Sequence, residues 1–171
     1  MAGLDTTATA PTPADDGRDP SAALSPGENA RLVRMLAPDP HLDLVEFFNN
    51  DAGFAAVARA VQPLFHRDFE CVIHLPPNPT RSYHGIQGLR EAWLDWLTPW
   101  ASYRNRLEEL VEAPDGRVLM WGQVSARLDD RGPDVQHMGA AVWTVRDGKV
   151  AHVAFFADRD AAAEAVGLDA R

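Results

Sequence analysis

The chain has 171 residues, 46% of them apolar, a net charge of −9 and one cysteine, Cys71; that suits a single globular domain of ordinary size. Fifteen scattered arginines and one lysine, Lys149, make no basic stripe able to neutralise a run of phosphates, so nucleic acid is not an expected partner. No apolar run approaches the roughly 18–20 residues of a membrane-spanning helix, no secretory leader is legible in MAGLDTTATAPTPADD, and a lone cysteine forms neither an internal disulfide nor a cysteine metal cage. The expected partners therefore exclude membrane and nucleic acid, and the expected compartment is the cytoplasm.

Residues 1–24 are mostly Ala, Thr, Pro, Asp and Gly. Such a composition buries too little apolar surface to offset the entropy of ordering, so this stretch reads as a disordered acidic tail and 25–171 as one domain. Ser25-Pro26-Gly27-Glu28 has the form of a capping box with proline at the first helical position, predicting a short helix to about Leu36. Pro38 ends it, and Asp39-Pro40 predicts a second helix with Leu42, Val45 and Phe48 on one face. Asp51 caps a third over 52–66, with Phe54, Val57, Ala58, Val61 and Leu64 at helical spacing.

Phe69–Leu75 reads as the first strand, closed by Pro76-Pro77. A loop follows to about Gly85, then an amphipathic helix over Ile86–Trp100 whose stripe contains Leu89, Trp93, Trp96, Leu97 and Trp100. The remainder is extended: Tyr103–Ala113, Arg117–Leu128, Val135–Val145 and Lys149–Ala157, joined by Pro114-Asp115-Gly116, Asp130-Arg131-Gly132-Pro133 and Asp147-Gly148. Asp-Gly between apolar runs is a strong hairpin signal, and three consecutive hairpins make an antiparallel meander. Asp158 to Gly167 closes the chain as a capped helix. Helices segregated from a meander define an α+β fold.

Three segments carry a resemblance: Tyr83-His84-Gly85-Ile86-Gln87-Gly88-Leu89-Arg90-Glu91-Ala92-Trp93, Ala141-Val142-Trp143-Thr144-Val145-Arg146-Asp147-Gly148-Lys149-Val150 and Phe155-Phe156-Ala157-Asp158-Arg159. Over about 40–168 the chain resembles the SnoaL-like polyketide cyclases of the nuclear-transport-factor-2-like superfamily. The resemblance implies a cone-shaped curved antiparallel sheet wrapped around helices, an apolar pocket inside it and a homodimer formed through the sheet. It does not choose a reaction, because that superfamily hosts isomerases, dehydratases, epoxide hydrolases, cyclases and non-catalytic domains.

Two known chemistries lack their residues. Gln123, Ser125 and Phe155 stand where limonene-type epoxide hydrolases carry charged groups, and neither tyrosine, Tyr83 or Tyr103, lies in the helix from which ketosteroid isomerases take theirs. Histidines remain as proton carriers. His74 ends the first strand and His137 lies in the third strand of the meander, where Gly139 and Ala141 leave space between it and Trp143. Gln123 and Ser125 share a strand face with Trp121 and are expected to orient a carbonyl. Trp93, Trp121, Trp143 and Phe155 are expected as the hydrophobic walls. No clustered His, Cys or carboxylate motif points to a metal, and no phosphate loop to a cofactor. The expectation is a cofactor-independent cyclase, isomerase or lyase of secondary metabolism, such as antibiotic biosynthesis, that moves protons on a small apolar polyketide-like or polycyclic substrate. The competing expectation is a non-catalytic ligand-binding or accessory protein using the same pocket.

Overall fold

Six strands make one sheet in the order β2-β1-β6-β5-β4-β3. They are β1 (Phe65–His74), β2 (Arg81–His84), β3 (Ser102–Glu112), β4 (Val118–Arg127), β5 (Val135–Arg146) and β6 (Lys149–Phe156). The helices are α1 (Glu28–Met35), α2 (Leu44–Asn49), α3 (Asp51–Val61), α4 (Gly85–Leu97) and α5 (Arg159–Ala165). The computed structural model describes residues 27–74 and 79–168. The tail at 1–24, Ser25, Pro26 and the Pro76-Pro77 strand stop lie outside the described residues.

The meander forms as its turns predict. Asp147 and Gly148 both have positive φ, 53° and 70°, which a two-residue type I′ hairpin requires. β6 then runs parallel to β1, while every other pair in the sheet is antiparallel. The register slips between Leu107 and Glu109 and between Thr144 and Val145, and such bulges increase local bend and twist. The curved sheet presents Phe69, Cys71, Val118, Met120, Val124, Ala141, Trp143 and Val153 to α1, α2, α3 and α4, in one core. A smaller core on the outer face packs Leu119, Trp121, Ala140 and Val142 under Ala162, Ala163 and Val166.

Several boundaries differ from expectation for local reasons. Gly27 rather than Ser25 caps α1, and the Ala30 amide is met by the Glu112 carboxylate at 3.1 Å. Asp39 makes a local turn by accepting from the His41 amide, and α2 begins only at Leu44, capped by Asp43. Asp43 also accepts from Ser102 Oγ at 2.6 Å and the Tyr103 amide at 3.2 Å, so one buried carboxylate joins α2 to β3. α3 is capped by Asn50 and stops at Val61, and β1 starts at Phe65 instead of Phe69. The expected loop before Gly85 contains β2, a four-residue edge strand held by pairing with β1. Asp158 and Gly167 end α5 as predicted, Asp158 Oδ1 accepting from the Ala161 amide and Gly167 lying at φ +70°.

Candidate functional site

Strand alternation decides what faces the interior. On β3 the uncharged residues Tyr103, Asn105 and Leu107 alternate with Arg104, Arg106 and Glu108. On β4 and β5 the inward sets are Met120, Gly122 and Val124, and His137, Gly139 and Ala141, with Gly122 paired to Gly139 and Val124 to His137. Across from them, α4 contributes Ala92, Trp93 and Trp96, with Trp100 just beyond its end. The space between is a cavity of about 240 Å³. Neither of the paired glycines sends a side chain of its own into this space.

The cavity is apolar but has a polar corner. Tyr103 is 4% exposed, and its ring meets that of His137 edge to face with centroids 6.3 Å apart. Burial pushes the Tyr103 phenol above its usual pKa, partly offset by a hydrogen bond from Trp96. The phenol is therefore a proton-bearing donor throughout the neutral range. His137 Nδ1 lies 3.3 Å from the Met138 carbonyl oxygen. A carbonyl only accepts, so this contact favours the Nδ1–H tautomer and leaves the lone pair on Nε2. Asn105 Oδ1 and Trp100 Nε1 are buried without a hydrogen-bond partner among the described residues.

Asn105 depends on a glycine. A Cβ at position 122 would fall 2.6 Å from Asn105 Oδ1 and collide with the Arg106 carbonyl. At Gly139 such an atom would meet, among the described residues, Val124 Cγ2 at 3.6 Å, an ordinary contact. Gly122 thus accommodates β3, whereas Gly139 keeps cavity space open.

The residues expected at the site separate into two groups. His137, Trp93 and Phe155 line the cavity. Trp93 is held there by stacking on Phe48 at 5.5 Å and by an edge contact with Phe155 at 5.3 Å. Trp121 borders the cavity too, but its indole belongs to the outer core, where the Arg159 guanidinium sits 3.8 Å above it. Parity leaves mainly its backbone for the wall.

The other expected residues do not line the cavity. Gln123 and Ser125 turn outward with Trp121, where Gln123 Oε1 accepts from Arg106 at 2.7 Å and Ser125 Oγ from Gln136 at 3.2 Å. His74 follows the inward Ile73 and so faces out, stacked on Phe156 at 5.0 Å and bonded to Thr80 at 3.2 Å. Trp143 lies behind Phe155, ring centroids 6.4 Å apart, as core. Tyr103 and Asn105 take the places expected of Gln123 and Ser125, and the alternation of charged and uncharged residues on β3 is the sequence signal that marks them. Among the described residues no group of three His, Cys, Asp or Glu side chains is disposed to hold a metal.

A curved sheet closed by a Trp-rich helix over an apolar cavity defines an α+β cone with an interior pocket. The profile of the SnoaL-like domain matches residues 43–153, and the chain belongs to that family. A putative SnoaL-like polyketide cyclase from Jannaschia sp. CCS1 superimposes with TM-score 0.55 at 17% identity, covering 81% of this chain and 91% of that one. TerC, co-crystallized with polyporic acid, superimposes with TM-score 0.51 at 20% identity, covering 82% and 98%. An NTF2-like protein from Burkholderia pseudomallei K96243 gives 0.50 at 16% identity, covering 82% and 98%. No curated protein matches the chain. No helix among the described residues is long and apolar enough to cross a membrane.

Proposed function

We propose that the protein is a cofactor-independent enzyme of small-molecule, secondary metabolism that moves a proton at a carbon next to a carbonyl in a flat apolar substrate. The observation that carries this reading is the convergence of the His137 imidazole and the buried Tyr103 phenol on one apolar cavity. His137 Nε2 takes the proton from carbon. The electron pair left behind moves onto the carbonyl oxygen, where the Tyr103 hydroxyl meets the developing charge; return of the proton at a second position completes an isomerisation. Cyclisation and dehydration share this first step. A cavity of about 240 Å³ sits below the roughly 300–1,000 Å³ common for drug-sized ligands, which favours one or two fused rings over a larger polycycle. TerC with polyporic acid gives support at the level of the fold.

The test is proton exchange. In D2O, 2-tetralone followed by NMR is expected to exchange its acidic C–H faster with the protein than in buffer, and the acceleration is expected to vanish in His137→Ala. An unaccelerated rate, or an unaffected variant, overturns the assignment. A second reading, a binding or accessory protein, is favoured because, among the described residues, no carboxylate meets His137, whose Nδ1 lies against a backbone carbonyl. It predicts that 2-tetralone binds without exchanging. A homodimer through the sheet belongs to the same proposal, supported by Met138, 42% exposed on the outer face beside Gln123 and Ser125; light scattering of the full chain decides it.

A further inference from the structure

We propose that the groove beside the cavity is a second subsite, binding the neutral, hydroxyl-bearing part of a two-part ligand whose flat apolar part occupies the cavity. This rests on the reading of the cavity as a small-molecule site. The groove, about 320 Å³, lies between β2 and the second half of α4, with Arg81 and Tyr83 on one side and Asp95 and Thr98 on the other. It meets the cavity at Ile73, Ala92 and Trp96, which line both spaces. A ligand longer than the cavity has this groove as its neighbouring volume.

Two of the groove's polar side chains, Tyr83 and Arg81, converge on one atom of a third. Asp95 Oδ2 accepts from the Tyr83 hydroxyl at 2.8 Å and from Arg81 Nη1 at 3.3 Å, while Thr98 Oγ1 donates to the Leu94 carbonyl at 2.9 Å. These bonds fix the side chains and leave Asp95 Oδ1 and the Thr98 oxygen as acceptors and the remaining Arg81 N–H groups as donors. The paired charges of Arg81 and Asp95 cancel, so an ionic group gains little net attraction there. A hydroxyl donates and accepts at once, and adjacent hydroxyls satisfy the carboxylate and the guanidinium together. The Trp96 indole offers the apolar wall on which the C–H face of a polyol rests. Stability does not account for the arrangement: the Arg81 and Asp95 side chains are 62% and 56% exposed, and ion pairs in such positions contribute only about 0–1 kcal/mol.

Isothermal titration of the full chain with 1-naphthol and with 1-naphthyl β-D-glucoside tests the subsite. The glucoside is expected to bind about tenfold more tightly than naphthol, the gain of one or two added hydrogen bonds. In Asp95→Ala and in Arg81→Ala that preference is expected to shrink to about twofold or less, with naphthol affinity unchanged. Both positions are exposed, and circular dichroism verifies that each variant folds. Equal affinity for the two compounds, or a preference that survives both substitutions, overturns the subsite alone. Failure of both compounds to bind overturns the cavity reading beneath it as well.

Discussion

Tyr103 and His137 stand on different strands, β3 and β5, and are brought ring to ring by β4 between them: Tyr103 is level with Ala126, and His137 with Val124. With ring centroids 6.3 Å apart and an interplanar angle of 65°, both line the same cavity wall. In their proposed roles of proton carrier and hydroxyl donor, the two have separable effects.

In the exchange assay, Tyr103→Phe removes the donor to the carbonyl oxygen and keeps the ring that packs against Trp93 and Trp100. A loss of about 10²-fold or more in the exchange rate is expected, with the fold retained and the melting temperature lowered slightly as the Trp96 N–H loses its acceptor. A rate within about twofold of the parent removes Tyr103 from the chemistry.

The tyrosine ionisation is measurable without a substrate. Burial raises the pKa of Tyr103, and burial together with Asp95 raises that of Tyr83. In Tyr83→Phe, absorbance at alkaline pH is expected to show no tyrosinate forming until above the usual value of about 10. A raised folded pKa gives stability that is complete below the unfolded value and lost as pH rises through the folded one. Alkaline unfolding is therefore expected to accompany the ionisation.

Gly139 and Gly122 predict opposite outcomes. Gly139→Val adds atoms toward open cavity, with Val124 Cγ2 the first neighbour at 3.6 Å, so the fold is expected to survive and naphthol binding to be lost. Gly122→Ala drives a methyl into Asn105 and the Arg106 carbonyl and is expected to destabilise by about 1–3 kcal/mol. Thermal melting and calorimetric titration of both variants test the pair, and a Gly139→Val protein that binds naphthol as well as the parent would place the ligand elsewhere.

Asp43 contributes to stability against acid. Burial raises its pKa, but bonds from Ser102, Tyr103 and Val45, with the charge of Arg104, outweigh burial and hold the carboxyl below its ordinary value. A lowered folded pKa contributes stability present above about pH 3.9 and lost as pH falls through the folded value. Asp43→Ala is expected to cost about 2–3 kcal/mol near neutrality. Denaturant titrations at neutral and acid pH should show the gap between parent and variant narrowing with acid; a gap that stays constant refutes the assignment.

His152 acts nearer neutrality. Burial, aided by His74 and opposed by Glu70, lowers its pKa, so stability is expected to fall as pH drops below about 6.5. His152→Gln should flatten that part of the stability profile, and an unchanged slope would show that other groups produce it.

The sequence by itself determined the α+β class, the meander and the α4 stripe, because hydrophobic periodicity and Asp-Gly turn chemistry are local properties. It also determined that His137, Gly139 and Ala141 share a face. What it left open on β4 was which face turns inward. Leu119 and Trp121 are as apolar as Met120 and Val124, because α5 covers the outer face at that end of the strand, and Gln123 and Ser125 lie on that outer side with Trp121. Tyr103 and Asn105 are legible from the alternation on β3, where uncharged and charged residues take opposite faces. β2 has only four residues and exists through its pairing with β1, and α2 starts where Asp43 finds Ser102 on a strand 59 positions away. Local signals fix elements and alternation. Only the packing of helices on both faces of the sheet decided which alternating set encloses the cavity, since burial depends on neighbours distant in the chain.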